Sequence, residues 1–234
     1  IEPGSGGEPL QWANTRIGDC AMTPDGEWLL ATDYFNERIV KLEPATLEPR
    51  EYAPANQYPI IIVVDEYFDR AFVIHEGIGT FMEYSLPDLE PVKKKYTFSA
   101  PVAVAVDWKS GELYAANWMF PFMVTEMDLF SLGAQRMKFP LSFVGAGISL
   151  DEDRGLFYVS NPVSGRVLAV DRESFDTVGA IAAKPGVRPV LVDNKRRMIY
   201  VGNMLSPYLR IYDFDHRQLK KVYVGRNCRT LYLA

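Results

Sequence analysis

Residues 155–180 read GLFYVSNPVSGRVLAVDRESFDTVGA, and the rest of the chain is built from variants of this stretch. It runs as an apolar strand closed by Asn, a short turn containing Gly, a second strand ending in Asp, a polar turn and a third strand. The unit recurs at intervals of roughly 40 residues, the period of solenoids and propellers. The register is set by the Asp that ends the first strand of each copy. Asp25, Asp65, Asp107, Asp151 and Asp193 lie 40, 42, 44 and 42 residues apart. A polar turn follows each (PDGE, DEYFDR, DWKSGE, DEDRG, DNKRR), which is hairpin chemistry, because Asp, Asn and Gly tolerate the backbone that a tight turn needs.

Working outward gives four strands per copy. First strands are expected over 20–23, 60–64, 102–106, 148–150 and 190–192. Second strands follow over 28–32, 71–74, 113–116, 156–160 and 198–202, and third strands over 38–42, 80–84, 123–127, 166–170 and 209–212. The fourth are more polar: 50–53, 94–98, 135–139, 177–181 and 220–224. That gradient fits an all-β propeller of four-stranded antiparallel blades, whose inner strands are enclosed and whose outer strands face solvent. Lys93, Lys94 and Lys95 suit such an outer edge, where lysines deter edge-to-edge pairing.

The ends bear on closure. Residues 8–13 (EPLQWA) match 48–53 (EPREYA), and 227–234 (NCRTLYLA) match 19–26 (DCAMTPDG). The expectation is one propeller domain over 8–234 behind a flexible Gly-rich arm at 1–7. It has five full blades (about 19–57, 58–100, 101–143, 144–186 and 187–226) and a split or incomplete sixth that closes the ring, the alternatives being a ring of five clasped by the terminal strands and an excerpt of a propeller with six or more blades. Cys20 and Cys228 come into register across that closure, and whether they pair is left open, since first strands of adjacent blades usually sit too far apart.

Composition narrows the partners. Net charge is −5 and the pI about 5.2, which argues against a nucleic-acid surface. No apolar run is long enough for a membrane helix, so no membrane insertion is expected. The chain opens on Ile1, as expected where a leader or flanking segment has been removed, and the compartment leans extracytoplasmic.

The unit at 155–181 resembles the YVTN-type β-propeller repeat, in which a YV-x-N strand end, a loop and a V-x-D strand recur, and 198–225 is similar to a second copy. Residues 28–53, with DYFNERI between strands, resemble the NHL-type repeat. The resemblance covers 19–226. It implies a propeller fold and leaves activity open, because these families hold extracytoplasmic binding proteins, interaction modules and a minority of enzymes.

Chemistry is sought at the residue closing each second strand: Asp33, His75, Asn117, Asn161 and Asn203. Corresponding positions of a propeller share one face. Each of these residues also suits a plainer role, capping its own turn. Beside them stand Tyr34, Phe35, Glu76, Trp118, Phe120, Phe122 and Tyr208, and an apolar loop expected to face water marks a contact surface. The reading is a non-catalytic binding or scaffolding module whose top-face loops contact a protein or peptide, with no cofactor and no metal. Two alternatives stay open: a metal-dependent propeller enzyme of the lactonase or lyase type, and a docking domain of a longer chain. Against the lactonase, the positions where gluconolactonase-type propellers hold metal are Asp19, Pro59, Pro101, Gly145 and Val187, one carboxylate among five. His216 is expected in a solvated rim turn.

Overall fold

A computed structural model describes residues 15–232 apart from 66, 77–78, 97–99, 119–123 and 139–144. Among the described residues there are twenty strands and no helix. They form five antiparallel four-stranded sheets, each paired in simple chain order. The first sheet holds β1 (Ile17–Met22), β2 (Leu29–Asp33), β3 (Arg38–Leu42) and β4 (Pro49–Pro54). The second holds β5 (Pro59–Val64), β6 (Arg70–His75), β7 (Thr80–Ser85) and β8 (Pro91–Tyr96). The third holds β9 (Pro101–Asp107), β10 (Glu112–Asn117), β11 (Val124–Asp128) and β12 (Gly133–Lys138). The fourth holds β13 (Gly147–Asp151), β14 (Leu156–Asn161), β15 (Arg166–Asp171) and β16 (Thr177–Ala182). The fifth holds β17 (Val187–Asp193), β18 (Met198–Asn203), β19 (Tyr208–Asp213) and β20 (Gln218–Tyr223). Every strand expected from the repeat has a counterpart here. The further first strand expected over 227–234 is not formed among the described residues, 227–232 carrying no strand. The arm at 1–7 and the strand expected at 8–13 lie outside the described residues.

The sheets fall into two compact units, Ile1–Tyr96 and Thr97–Ala234. In the first, Leu30 and Ile39 of one sheet meet Ile62, Val73 and Tyr84 of the other, all 2% exposed or less. Burying each such aliphatic side chain is worth about 1.5–3 kcal/mol. In the second unit the β13–β16 sheet is covered on both faces. Phe157 and Val159 point into one cluster with Tyr114 and Phe175, while Tyr158 points into another with Ile199 and Tyr212. Alternate residues of a strand face opposite sides. An unbroken apolar run such as LFYV is therefore what a sheet sandwiched between two others requires. At Gly147 a Cβ would overlap the Arg188 carbonyl oxygen, so β13 and β17 approach only because no side chain intervenes.

The periodic Asp residues do more than turn the chain. Asp65 Oδ1 accepts the Tyr67 and Phe68 N–H groups at 2.9 and 3.2 Å, and Asp107 Oδ1 those of Lys109 and Ser110 at 3.0 and 3.3 Å. The second oxygen then takes an arginine: Arg70 on Asp65 at 2.8 Å, Arg172 on Asp107 at 2.7 Å, Arg154 on Asp151 at 2.6 Å and Arg196 on Asp193 at 2.8 Å. These four carboxylates are all buried, and a buried charge is tolerated only when paired. In the first sheet Asp25 is exposed and accepts Thr23 and Glu27 instead.

Candidate binding surface

The residues closing the five second strands are all buried, none more than 2% exposed. Asn161 and Asn203 cap their own turns. Asn161 Oδ1 accepts the Val163 and Ser164 N–H groups at 3.1 and 2.9 Å, and Asn203 Oδ1 accepts Leu205 N–H at 2.7 Å. Asn117 differs, donating to Thr125 Oγ1 at 3.0 Å. Asp33 Oδ2 accepts Asn36 at 2.7 Å and the Arg38 guanidinium at 3.0 Å. His75 Nδ1 lies 3.3 Å from the Thr80 carbonyl oxygen. A carbonyl only accepts, so that nitrogen carries the hydrogen and Nε2 is left to accept Asn56 N–H at 3.2 Å. Both ring nitrogens thus face backbone, which suits a strap between β4–β5 and β7 better than a ligand. The expected polar residues therefore hold the loops, and the side chains available to a partner are those that follow them.

In the unit formed by the first two sheets these follow-on residues converge. Tyr34 stacks on Tyr58 with ring centroids 5.0 Å apart and meets Phe35 edge-on at 5.3 Å. The Arg16 guanidinium sits 4.4 Å above the Tyr34 ring. Across the cluster, the Tyr34 hydroxyl donates to Glu76 Oε2 at 3.0 Å. Two backbone bonds fix the geometry: Tyr34 N–H to Arg16 O at 2.8 Å and Glu76 N–H to Tyr58 O at 2.9 Å. Burial and the bond to Glu76 push the Tyr34 phenol above its ordinary value of 10.0, so it stays a hydrogen-bond donor at neutral pH. Phe35 remains 57% exposed and Tyr58 40%.

Arg16 and Tyr58 were not among the residues expected from sequence. Both lie just before a first strand, but at unequal distances from the Asp that marks each copy, 9 residues before Asp25 and 7 before Asp65, so the register does not single them out. In the second unit Trp118 (43%), Val163 (58%) and Leu205 (78%) follow their buried Asn residues and are exposed. Tyr208 is drawn back onto its own sheet, edge-on to Tyr223 at 5.8 Å with Lys221 Nζ 3.7 Å above its ring. Phe120 and Phe122 lie outside the described residues. Among the described residues no three His, Cys, Asp or Glu side chains gather as a metal would need, and no helix is long and apolar enough to cross a membrane.

No family model matches the chain, and no curated protein matches it. Among solved structures, the chain is similar to one described as Kuenenia stuttgartiensis hydrazine synthase, at 14% identity and TM-score 0.80, covering 92% of this chain and 76% of that one. It is also similar to a chain from a crystal structure of the mitotic checkpoint complex, at 9% identity and TM-score 0.79, covering 93% of this chain and 68% of that one. At such identities the likeness is one of fold alone.

Proposed function

We propose that the chain is a β-propeller of the YVTN/NHL-repeat kind, with five full blades and an incomplete sixth, acting as a non-catalytic module that binds a protein or extended peptide. The five chain-ordered four-stranded sheets support the architecture. The observation that carries the binding role is the cluster of Tyr34, Phe35 and Tyr58 braced by Arg16 and Glu76. Aromatic and arginine side chains dominate binding energy at protein interfaces, and bracing them beforehand lowers the entropy lost on association. The second structural neighbour comes from a protein complex, which is compatible with such a role.

The test is affinity capture from the native source with the wild-type chain and with Phe35→Ala/Tyr58→Ala. Both side chains are substantially exposed, so the variant keeps its fold, checked by circular dichroism. The reading requires that specific partners be lost with the double variant. An unchanged capture profile refutes it.

A further inference from the structure

The turn between β19 and β20 is anchored to the β13–β16 sheet by one imidazole. His216, held at φ +65°, donates its N–H to Asp213 O at 3.1 Å. Its ring lies over Gly179 of β16, where an added Cβ would stand 2.8 Å from Cε1. Nε2 is 2.9 Å from the Tyr158 hydroxyl. The solvated rim position expected from sequence is therefore corrected: the turn folds inward because Gly179 leaves space and Tyr158 offers a partner.

The direction of these bonds follows from what each group can do. Arg154 only donates, so its 2.7 Å contact makes the Tyr158 oxygen an acceptor. The tyrosine hydrogen is then available to His216 Nε2, which accepts it in the neutral tautomer that carries its hydrogen on Nδ1. Arg154 also donates to Asp151 Oδ2 at 2.6 Å and to Phe214 O at 2.8 Å, with its guanidinium 4.1 Å over the Phe214 ring. The arginine thus grips the same turn that His216 seals. Adding a proton to Nε2 reverses the last bond. Two cationic donors then crowd one phenol oxygen, and the phenol hydrogen loses its acceptor.

We propose that His216 is a proton-operated latch, holding residues 214–217 against the β13–β16 sheet while neutral and releasing them when protonated. The groups facing it are Arg154 with Asp151 from β13 and its turn, and Tyr158 from β14. Gly179 of β16 brings no charge. Asp213, Asp215 and Arg217 lie on its own segment, and Arg197 reaches the Phe214 ring at 4.9 Å. Burial first and then Arg154 lower the imidazole below its ordinary value of 6.5, partly opposed by Asp213 and Asp215. A group whose folded value is depressed binds its proton better when released. Docking is therefore intact above 6.5 and weakens as the pH falls from there through the depressed value.

The chain has only two histidines, so proton NMR follows His216 directly, with His75 as an internal reference. The expected result is a His216 Cε1–H titration midpoint below 6.5. It is accompanied by a several-fold rise in amide exchange of 214–218 between pH 7.5 and 5.5, after correction for intrinsic rates. His216→Gln keeps an acceptor for Tyr158 but cannot titrate, and its exchange should not change over that range. A midpoint at or above 6.5, or an equal rise in the glutamine variant, overturns the latch. Should that variant fail to fold, the wild-type midpoint decides alone.

Discussion

Replacing Arg172 by Met should destabilise the Thr97–Ala234 unit by about 3 kcal/mol. Arg172 leaves the β15–β16 turn and reaches into the neighbouring sheet, where Nη2 lies 2.7 Å from Asp107 Oδ2 and 2.8 Å from Glu112 Oε2. Nε donates to the Tyr114 hydroxyl at 3.2 Å. The arginine and Asp107 side chains are only 15% and 10% exposed, against 29% for Glu112. Most of the cost therefore falls on Asp107, left as a buried carboxylate with its two turn N–H bonds alone. Removing one partner of a buried pair costs about 3–5 kcal/mol, and Met retains the apolar stem over Tyr114, which places the estimate at the low end. With a urea slope of about 3 kcal/mol/M, the midpoint should fall by about 1 M.

The effect carries a pH signature. Burial pushes the Asp107 carboxyl up, but Arg172 and the turn N–H groups outweigh it and hold the group below its ordinary 3.8. A carboxyl with a depressed folded value stabilises above 3.8 and loses that contribution as the pH falls through the folded value. The gap between wild type and Arg172→Met should thus be full at pH 7 and narrow below 3.8. Adding Asp107→Asn should recover part of the loss. Urea melts of wild type, Arg172→Met, Asp107→Asn and the double variant, at pH 7 and at a pH below 3.8, provide the measurement. A shift below about 0.2 M at pH 7, or a gap that widens in acid, would refute the reasoning.

Three further outcomes are expected. Gly147→Ala should prevent stable folding or cost several kcal/mol, because the new methyl meets the Arg188 backbone. Gly155→Ala, at φ +63° with open space around it, should cost only about 1–2 kcal/mol, and paired denaturation curves compare them. Burial pushes the Tyr84 and Tyr114 phenols up to about 12. Ultraviolet titration should leave both silent at pH 11, and stability should fall as the pH rises from 10 through 12, since the released chain loses those protons first. Cys20 and Cys228 are free thiols, both raised above 9.0 by burial, with Asp19 adding to the effect at Cys20. Mass spectrometry should find slow alkylation of the folded chain at pH 7.5, steepening above pH 9; free-thiol rates at pH 7.5 would contradict it.

The strands were legible because burial on both faces writes itself as runs such as LFYV and MIYV, and because Asp recurs at each first turn. Edge strands were read less well. The strand expected over 94–98 is observed as Pro91–Tyr96, since an outer strand packed on one side has no strict apolar period to mark its start. The candidate surface was legible in part. Tyr34, Phe35 and Glu76 followed from the register, whereas Arg16 and Tyr58 reach the cluster from connections with no pattern of their own. The pairing of Arg172 with Asp107 joins residues 65 apart, and no local signal announces it. Nor does sequence distinguish a strand-end His that lines a surface from one like His75, whose ring is consumed by backbone.

Every sheet here is a meander joined by hairpins in chain order. Tension along the chain would therefore load each hairpin from its open end, parting hydrogen bonds one pair at a time instead of shearing a whole ladder at once. In an optical trap this construction should yield as a series of small, low-force extensions. Resistance to pulling would have to come from the side-chain clasps between sheets.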